Sequence, residues 1–327
     1  MTAFSVLDLV PVREGETLSD AFAATRDLAV AAERLGCRRF WVAEHHAMDG
    51  IAGGATSVVL AHIGNATSTI RIGSGGIMLP NHTPFQIAEQ FGTLDALFPG
   101  RVDLGLGRAP GAGPELQRAL RKDLHRAAEM FPHDVLELRA LFEGAPDLGI
   151  RATPGHGAQV ELWMLGSSLF GAQLAARLGL PYAFASHFAP DHLDAAIALY
   201  RRDFEPSDAC PQPYVMAAMN LFVAESEEAA QTLASSQMQA FVALRSGSPG
   251  KLLPPVPGYR DSLPAPAQAM LRHIGQSSAI GTPAMARDAI LRFIERTGAH
   301  EIIFAGPTYD PAARIRSLEA ALDALAA

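Results

Sequence analysis

The chain has 327 residues, of which 49% are hydrophobic and 18% are charged. This apolar share is enough for a large buried core, which excludes intrinsic disorder as the main state. The 26 basic and 34 acidic residues give a net charge of −8, and no run of five Lys or Arg occurs, which argues against a nucleic-acid partner.

The chain shows no sign of a membrane or secretory protein. The first residues lack a signal-peptide pattern, and no apolar stretch approaches the ~18 residues of a membrane-spanning helix. We therefore expect a cytoplasmic protein with no membrane partner. Cys37 and Cys210 stand without Cys-x-x-Cys or Cys/His spacing, so two unpaired buried thiols are expected rather than a disulfide framework or a zinc knuckle.

Short apolar runs alternate with longer helical patterns along the whole chain, which is typical of βα units around a parallel sheet. The predicted strands are, in chain order, Phe4–Val10, Arg39–Ala43, Ile70–Ile77, Val102–Gly107, Glu161–Leu165, Tyr182–Ala185, Tyr214–Val223 and Glu301–Ala305. The predicted helices are Leu18–Leu35, Ser57–Ala66, Pro84–Leu97, Pro114–Phe142, Leu169–Arg177, Pro190–Phe204, Ser226–Leu244, Met285–Thr297 and Pro311–Leu325.

Eight strands in this rhythm predict the α/β class and favour a closed (β/α)8 TIM barrel over an open doubly wound sheet. The segment Ser246–Pro266 breaks the rhythm, with six Pro and three Gly in 21 residues. Such a segment predicts neither a helix nor a central strand, but an insertion or lid before the last βα unit. We expect a single domain over residues 1–327, with an insertion at 246–275.

In a barrel of this kind the active site lies at the carboxyl ends of the strands. The second predicted strand ends in Glu44-His45-His46. A metal site is disfavoured, because neighbouring side chains on a strand point to opposite faces and no His-x-His or His-Glu-x-x-His spacing is present. Two hypotheses stay open: a polar strand end in which Glu44 accepts backbone hydrogen bonds, and a histidine that acts as a general acid or base.

The third and fourth strands end in glycine-rich stretches. Gly73-Ser74-Gly75-Gly76 indicates either a flat ligand lying against the backbone or a bulge at a barrel corner. Gly105-x-Gly107 does not continue as the Gly-x-Gly-x-x-Gly dinucleotide fingerprint. Arg108, which follows it, is interpreted as a ligand of a phosphate or carbonyl group at the barrel mouth.

The fifth strand is followed by Gly166-Ser167-Ser168 at the start of a helix. Free N–H groups, the helix dipole and two hydroxyls at one point are typical of an anion site, although a simple serine N-cap would explain one of the serines. Together with Arg108 and the glycine-rich third strand, this stretch predicts a flat, phosphorylated cofactor.

These motifs, taken together and in this order, resemble those of the bacterial luciferase-like, flavin-dependent monooxygenases, which are (β/α)8 barrels that use reduced FMN. The resemblance covers nearly the whole chain. The matching stretches are Trp41–His46, Gly73–Pro80, Pro84–Gln90, Leu94-Asp95 with Phe98–Arg101, Leu104–Arg108, Leu165–Ser168 and the helix-Gly-strand stretch near Glu301.

The resemblance implies a role for each matching residue. His45 corresponds to the active-site histidine beside the flavin, and Gly75-Gly76 to a cis peptide behind the flavin ring. Arg108, Ser167 and Ser168 correspond to the phosphate-binding positions. The full cofactor site that it implies is Glu44, Ser74, Gly75, Gly76, Glu89, Arg108, Gly166, Ser167 and Ser168, in which Glu44 and Glu89 shape the flavin pocket.

One position departs from the family's pattern. The luciferase α chain has a reactive cysteine before the arginine, where this chain has Gly107, so the resemblance does not extend to light emission with a long-chain aldehyde. The Pro-rich segment falls where the family has its variable lid, and the substrate is therefore not named.

The leading hypothesis is an FMNH2-dependent monooxygenase that activates O2 as a C4a-peroxyflavin and oxygenates a small organic substrate. Since no dinucleotide fingerprint was found, a separate NAD(P)H:flavin reductase is the expected partner, and the resemblance implies a homodimer. Three alternatives stay open: an F420-dependent oxidoreductase of the same superfamily, a non-catalytic flavin-binding subunit, and a metal-dependent hydrolase.

Overall fold

The computed structural model of the chain describes residues 2–109, 114–145 and 149–327. Within these residues it contains the strands β1 (Ala3–Asp8), β2 (Arg39–Val42), β3 (Arg71–Met78), β4 (Val102–Gly107), β5 (Glu161–Gly166), β6 (Tyr182–Phe184), β7 (Val215–Val223), β8 (Ser278–Gly281) and β9 (Glu301–Ala305).

All strand pairs are parallel, and the pairings close a ring. β1 to β7 follow one another in order, and β9 closes the ring by pairing with β7 on one side and β1 on the other. β8 lies outside the ring and pairs with the C-terminal half of β7, Asn220–Val223. The ring of eight strands confirms the predicted (β/α)8 barrel.

Helices surround this ring. They are α1 (Leu18–Arg34), α2 (Thr56–Ala66), α3 (Pro84–Leu97), α4 (Pro114–Leu120), α5 (Leu124–Glu143), α6 (Leu169–Leu178), α7 (Leu193–Arg202), α8 (Glu227–Arg245), α9 (Tyr259–Ser262), α10 (Ala265–Ile274), α11 (Pro283–Thr297) and α12 (Pro311–Ala326). Among the described helices, none is both long and apolar enough to cross a membrane.

The core has two parts, because each strand presents one face to the helices and the other to the barrel axis. The larger cluster fills the space between strands and helices. The smaller one fills the barrel interior with Trp41, Trp163, Leu7, Met216 and Ile303 as its large members. The two tryptophan rings meet edge to face, with centroids 5.2 Å apart. This filling leaves the strand ends as the place for a ligand.

Three predictions of secondary structure need correction. β8 was not predicted, and it follows the Pro-rich segment before the last barrel strand. The predicted helix Pro114–Phe142 is two helices, since Asp123 caps α5 by accepting the N–H groups of His125 and Arg126.

The Pro-rich segment was expected to hold no helix, yet α9 lies inside it and α10 begins at Ala265. Proline is tolerated in the first turn of a helix, where its missing N–H has no intrahelical partner. The segment is also fastened near its start, because Leu252 exchanges backbone hydrogen bonds of 2.9 Å with Val12 and Glu14.

Candidate active site

The carboxyl ends of the barrel strands gather polar side chains from separate parts of the chain. His45 follows β2, Arg108 follows β4, Ser167 and Ser168 follow β5, and His187 follows β6. Since all strands of the ring are parallel, these ends lie on one face of the barrel, as the sequence predicts.

Glu44 is fully buried, and its carboxylate is engaged by protein groups. It accepts hydrogen bonds from the Met78 N–H at 3.0 Å and from Nε2 of His46 and His82 at 2.5 and 2.8 Å. Burial alone would raise the pKa of Glu44, but these hydrogen bonds and the charge of His82 lower it to about 2. The Glu44 carboxylate is therefore charged and already paired with protein groups, so it is not free to bind a further molecule.

His45 points away from this cluster. Its Nδ1 is enclosed by protein and has no hydrogen-bond partner among the described residues. Burial lowers the pKa of His45, Glu44 opposes this shift, and His46 adds to it. The ring is therefore neutral at pH 7.

The sequence analysis did not single out His82, which together with Glu44 and His46 forms a group compact enough to hold a metal ion. In the structure both imidazoles instead meet the same oxygen, Oε1 of Glu44. Lys122 fixes the loop that carries His82, because its ammonium group donates to the carbonyls of Pro80 and His82. The absence of a metal stays a prediction.

The peptide bond between Gly75 and Gly76 is cis, as the resemblance implies. At this point the pairing of β3 with β4 shifts register between Ser74 and Ile77, so the bulge hypothesis is also correct. A Cβ on Gly76 would lie 2.6 Å from the carbonyl oxygen of Gly105. The hydroxyl of Ser74 is buried and donates to the same carbonyl at 3.0 Å, so it belongs to the barrel wall and not to the mouth.

Arg108, Ser167 and Ser168 lie at the start of α6. The guanidinium carbon of Arg108 lies 4.0 Å from the ring centre of Phe170, in the first turn of α6, and no described carboxylate pairs with it. Ser168 is the N-cap of α6, but its hydroxyl makes no capping hydrogen bond. Gly166 ends β5, and its carbonyl accepts the N–H of Ala185 at 3.0 Å. A cation, two hydroxyls and a helix N-terminus thus adjoin one another.

Glu89 does not join this cluster by any contact of its carboxylate. It lies in α3, half-buried, and within the described residues its side chain makes no ion pair or hydrogen bond. Its backbone carbonyl accepts the hydroxyl of Thr93 at 2.7 Å.

The sequence analysis also missed a polar group at the end of β6. His187 is connected to Asn220 of β7, whose Nδ2 donates to the His187 carbonyl at 2.9 Å, and Asn220 is connected to Gln237 of α8 at 2.8 Å. The signal was available, since His187 follows the sixth predicted strand as His45 follows the second.

Comparison with known proteins gives a consistent result. Residues 2–301 match a family model described as luciferase-like monooxygenase. A protein of Escherichia coli K12 named luciferase-like monooxygenase is 46% identical over 98% of this chain and 96% of its own length. An N-acetyl-S-alkylcysteine monooxygenase of Bacillus subtilis is 38% identical over 57% of each chain.

Solved structures share the barrel. The structure of apo-MsnO8 has a TM-score of 0.88 at 32% identity and covers 100% of this chain and 99% of its own. Two others match in fold alone. One is the oxygenating constituent of 3,6-diketocamphane monooxygenase from Pseudomonas putida, in complex with FMN, with a TM-score of 0.73 at 17% identity over 100% and 98% of the two chains. The other is an F420-dependent secondary alcohol dehydrogenase, with a TM-score of 0.68 at 17% identity over 99% of each chain.

Proposed function

Because the chain belongs to the luciferase-like monooxygenases, we propose that it is the oxygenase of a two-component flavin system. It takes reduced FMN from a separate NAD(P)H:flavin reductase and uses O2 to transfer one oxygen atom to a small organic substrate. The observation that carries this proposal is that Arg108, Ser167 and Ser168 adjoin the N-terminus of α6, on the barrel face that also carries His45.

The anion site fits the phosphate group of FMN. The N-terminus of α6 offers unpaired N–H groups and the positive end of the helix dipole. The hydroxyl of Ser168 makes no capping hydrogen bond, and Arg108 provides a positive charge 4.0 Å from the ring centre of Phe170. Such a combination binds a phosphate dianion without further rearrangement.

His45 fits the other end of the cofactor. An enclosed ring nitrogen without a partner costs stability unless a bound molecule pairs with it. FMN, when bound and reduced, supplies the electrons for the reaction with O2. The neutral His45 ring can accept a proton at its free nitrogen, while Glu44 and its two histidine partners keep the strand end that carries it in place.

Names of relatives support the same cofactor and partner. The Pseudomonas putida protein is an oxygenating constituent that binds FMN. A trigonelline monooxygenase of Acinetobacter baylyi, 28% identical over 30% of this chain, is likewise described as an oxygenase component. F420 is the cofactor of one structural neighbour, so it is the alternative to be tested directly.

Replacement of Arg108 by Ala tests the anion site. We expect Arg108→Ala to weaken FMN binding about 10- to 100-fold and to leave the binding of riboflavin, which lacks the phosphate, nearly unchanged. The measurement is an equilibrium fluorescence titration of both flavins. Arg26→Ala is the control, because the side chain of Arg26 lies on α1 and pairs with Asp27. Equal losses for FMN and riboflavin would remove Arg108 from the phosphate site.

A further inference from the structure

His187 and His45 follow strands on opposite sides of the barrel. His187 follows β6, and β6 stands opposite β2 in the closed ring of strands. The two rings are close enough for the charge of His45 to affect the pKa of His187. Side chains from opposite walls of the barrel therefore converge on the same space.

The backbone at His187 is anchored to β7. Its carbonyl accepts the hydrogen bond from Asn220, and the hydroxyl of the preceding Ser186 donates to the carbonyl of Ala218 at 2.5 Å. Asn220 is itself held, because its oxygen accepts from Gln237 and its amide group also reaches Ser278 at 3.3 Å. The side-chain amide of Asn220 is thus held by Gln237 and Ser278, and its hydrogen bond to the carbonyl fixes the backbone at His187.

The imidazole of His187, by contrast, has an unpaired nitrogen. Its Nδ1 is shielded from solvent and has no hydrogen-bond partner among the described residues. Buried polar atoms are almost always paired, so an unpaired one at the mouth of a barrel marks a place for a ligand atom.

The surroundings indicate an uncharged ligand. Burial and the nearby His45 lower the pKa of His187 to about 4, so the ring offers no positive charge at neutral pH. His45 is neutral for the same reason, and the carboxylate of Glu44 is already engaged by His46 and His82. Neither a carboxylate nor an ammonium group on the ligand would find a free counter-charge among these groups.

An apolar surface begins at the residue that follows His187. Phe188 comes next in the chain, is 40% exposed, and packs against Phe241 of α8 with ring centres 6.2 Å apart. An aromatic surface beside a single hydrogen-bonding group is the usual construction of a site for a small, mostly apolar molecule.

We infer that His187 is the substrate-recognition residue of this barrel, which hydrogen-bonds an uncharged carbonyl or hydroxyl group while Phe188 and Phe241 contact the apolar part of the molecule. The inference rests on the proposed function in one respect, since it takes the barrel mouth to be the place where the oxygen acceptor binds.

Two variants separate a recognition role from a structural one. His187→Leu removes both ring nitrogens and keeps an apolar side chain, whereas His187→Gln keeps a group that can donate and accept. His192→Leu is the matched control, because His192 is exposed and its side chain makes no capping bond. The probes are cyclohexanone and cyclohexanol, with cyclohexanecarboxylate as the anionic counterpart.

The affinity of each variant for FMN is measured first, and probe binding to the FMN-loaded protein is then followed by the change in flavin absorbance. We expect FMN affinity to stay the same in all variants. His187→Leu should bind both uncharged probes about tenfold more weakly, and His187→Gln should stay within about threefold of the unmodified protein. The carboxylate should bind at least about tenfold more weakly than the ketone.

Equal probe binding by His187→Leu and the unmodified protein would overturn the inference, as would tighter binding of the carboxylate or no binding of either uncharged probe. If the unmodified protein does not bind FMN, the proposed function fails separately. The inference is then decided on the flavin-free protein by the 15N signals of the histidine rings. A shift of the His187 signals on addition of cyclohexanone supports it, and unchanged signals contradict it.

Discussion

At the scale of single residues, the two histidines that follow β2 have opposite environments. His46 hydrogen-bonds to Glu44, and this contact raises its pKa, whereas burial lowers the pKa of His45. The alternation of side chains along an extended chain explains the difference, since neighbours point to opposite sides. One histidine thus completes a structural cluster, while Nδ1 of the other has no hydrogen-bond partner among the described residues.

Replacement of His45 tests its chemical role. We expect His45→Ala to bind FMN with nearly unchanged affinity and to form product about 10²- to 10⁴-fold more slowly, because a positioned proton acceptor is lost. The measurement is FMN affinity together with substrate-dependent O2 consumption in the presence of a flavin reductase. His62→Ala, at an exposed position of α2, is the control. Unchanged turnover would assign the proton transfer to another group.

The Glu44 cluster predicts a pH dependence of stability. The pKa of Glu44 is lowered from 4.5 to about 2. The contribution of its ionised carboxylate to the free energy of unfolding is therefore complete above pH 4.5 and is lost as the pH falls toward 2. The pKa of His46 is raised above 6.5, so its contribution is complete below pH 6.5 and is lost at higher pH.

Glu44→Gln should therefore destabilise the protein most between pH 4.5 and 6.5, by up to about 3 kcal/mol. The difference in the free energy of unfolding between the variant and the unmodified protein should be smaller at about pH 3 and at about pH 8.5. Urea unfolding at the three pH values measures it, with Glu319→Gln on the surface of α12 as the control. A deficit that does not change with pH would contradict the assigned pKa shifts.

At the scale of elements, the sequence predicts the eight ring strands because glycines punctuate them and because apolar runs alternate with helical periodicity. β8 escapes prediction because its four residues begin with Ser and end with Gly, which leaves only Ala279 and Ile280 as an apolar run. The break between α4 and α5 escapes because neither Gly nor Pro marks it. The positions of His45 and Arg108 follow from the predicted strand ends. Met78 and His82, however, reach Glu44 from the neighbouring strand β3 and the loop after it, and no local sequence pattern contains that contact.

The junction of β3 and β4 gives a prediction for two nearby glycines. A Cβ on Gly76 would lie 2.6 Å from the Gly105 carbonyl oxygen, whereas a Cβ on Gly107 would meet only the Ile77 carbonyl oxygen, at 3.6 Å. Gly76→Ala should therefore lower the free energy of unfolding by about 2 kcal/mol or more, and Gly107→Ala should change it by less than about 1 kcal/mol. Denaturant unfolding measures both. Equal stability of the two variants would contradict the packing described for this junction.

At the scale of the whole molecule, the two ends of the barrel have separate tasks. The amino ends of the strands hold a buried ionic network in which Arg39 contacts Asp103 at 2.8 Å, Glu161 at 3.1 Å and Glu301 at 3.2 Å, and Arg71 also binds Asp103. Arg39 and Asp103 are fully buried. The network closes the barrel bottom, while at the opposite end Nδ1 of His45 and Nδ1 of His187 have no hydrogen-bond partner among the described residues.

Removal of the central cation tests the closure of the barrel bottom. Arg39→Met should destabilise the protein by about 3–5 kcal/mol, because Asp103 and Glu301 would be left buried without their partner. Burial already raises the pKa of Asp103 against the opposing charges of Arg39 and Arg71. Thermal unfolding measures the loss, with Arg26→Met, at an exposed ion pair, as the control. A loss no larger than that of the control would show that the network is not structural.

The most direct test of the central claim is an anaerobic titration of the protein with FMNH2 and, in parallel, with reduced F420, followed by rapid mixing with oxygenated buffer. We expect FMNH2 to bind more tightly than reduced F420. The near-ultraviolet spectrum of the bound flavin should then change with O2 on a different time course from that of free FMNH2. Preferential binding of reduced F420, or oxidation of FMNH2 identical with and without the protein, would contradict the assignment of this barrel as a flavin-dependent monooxygenase.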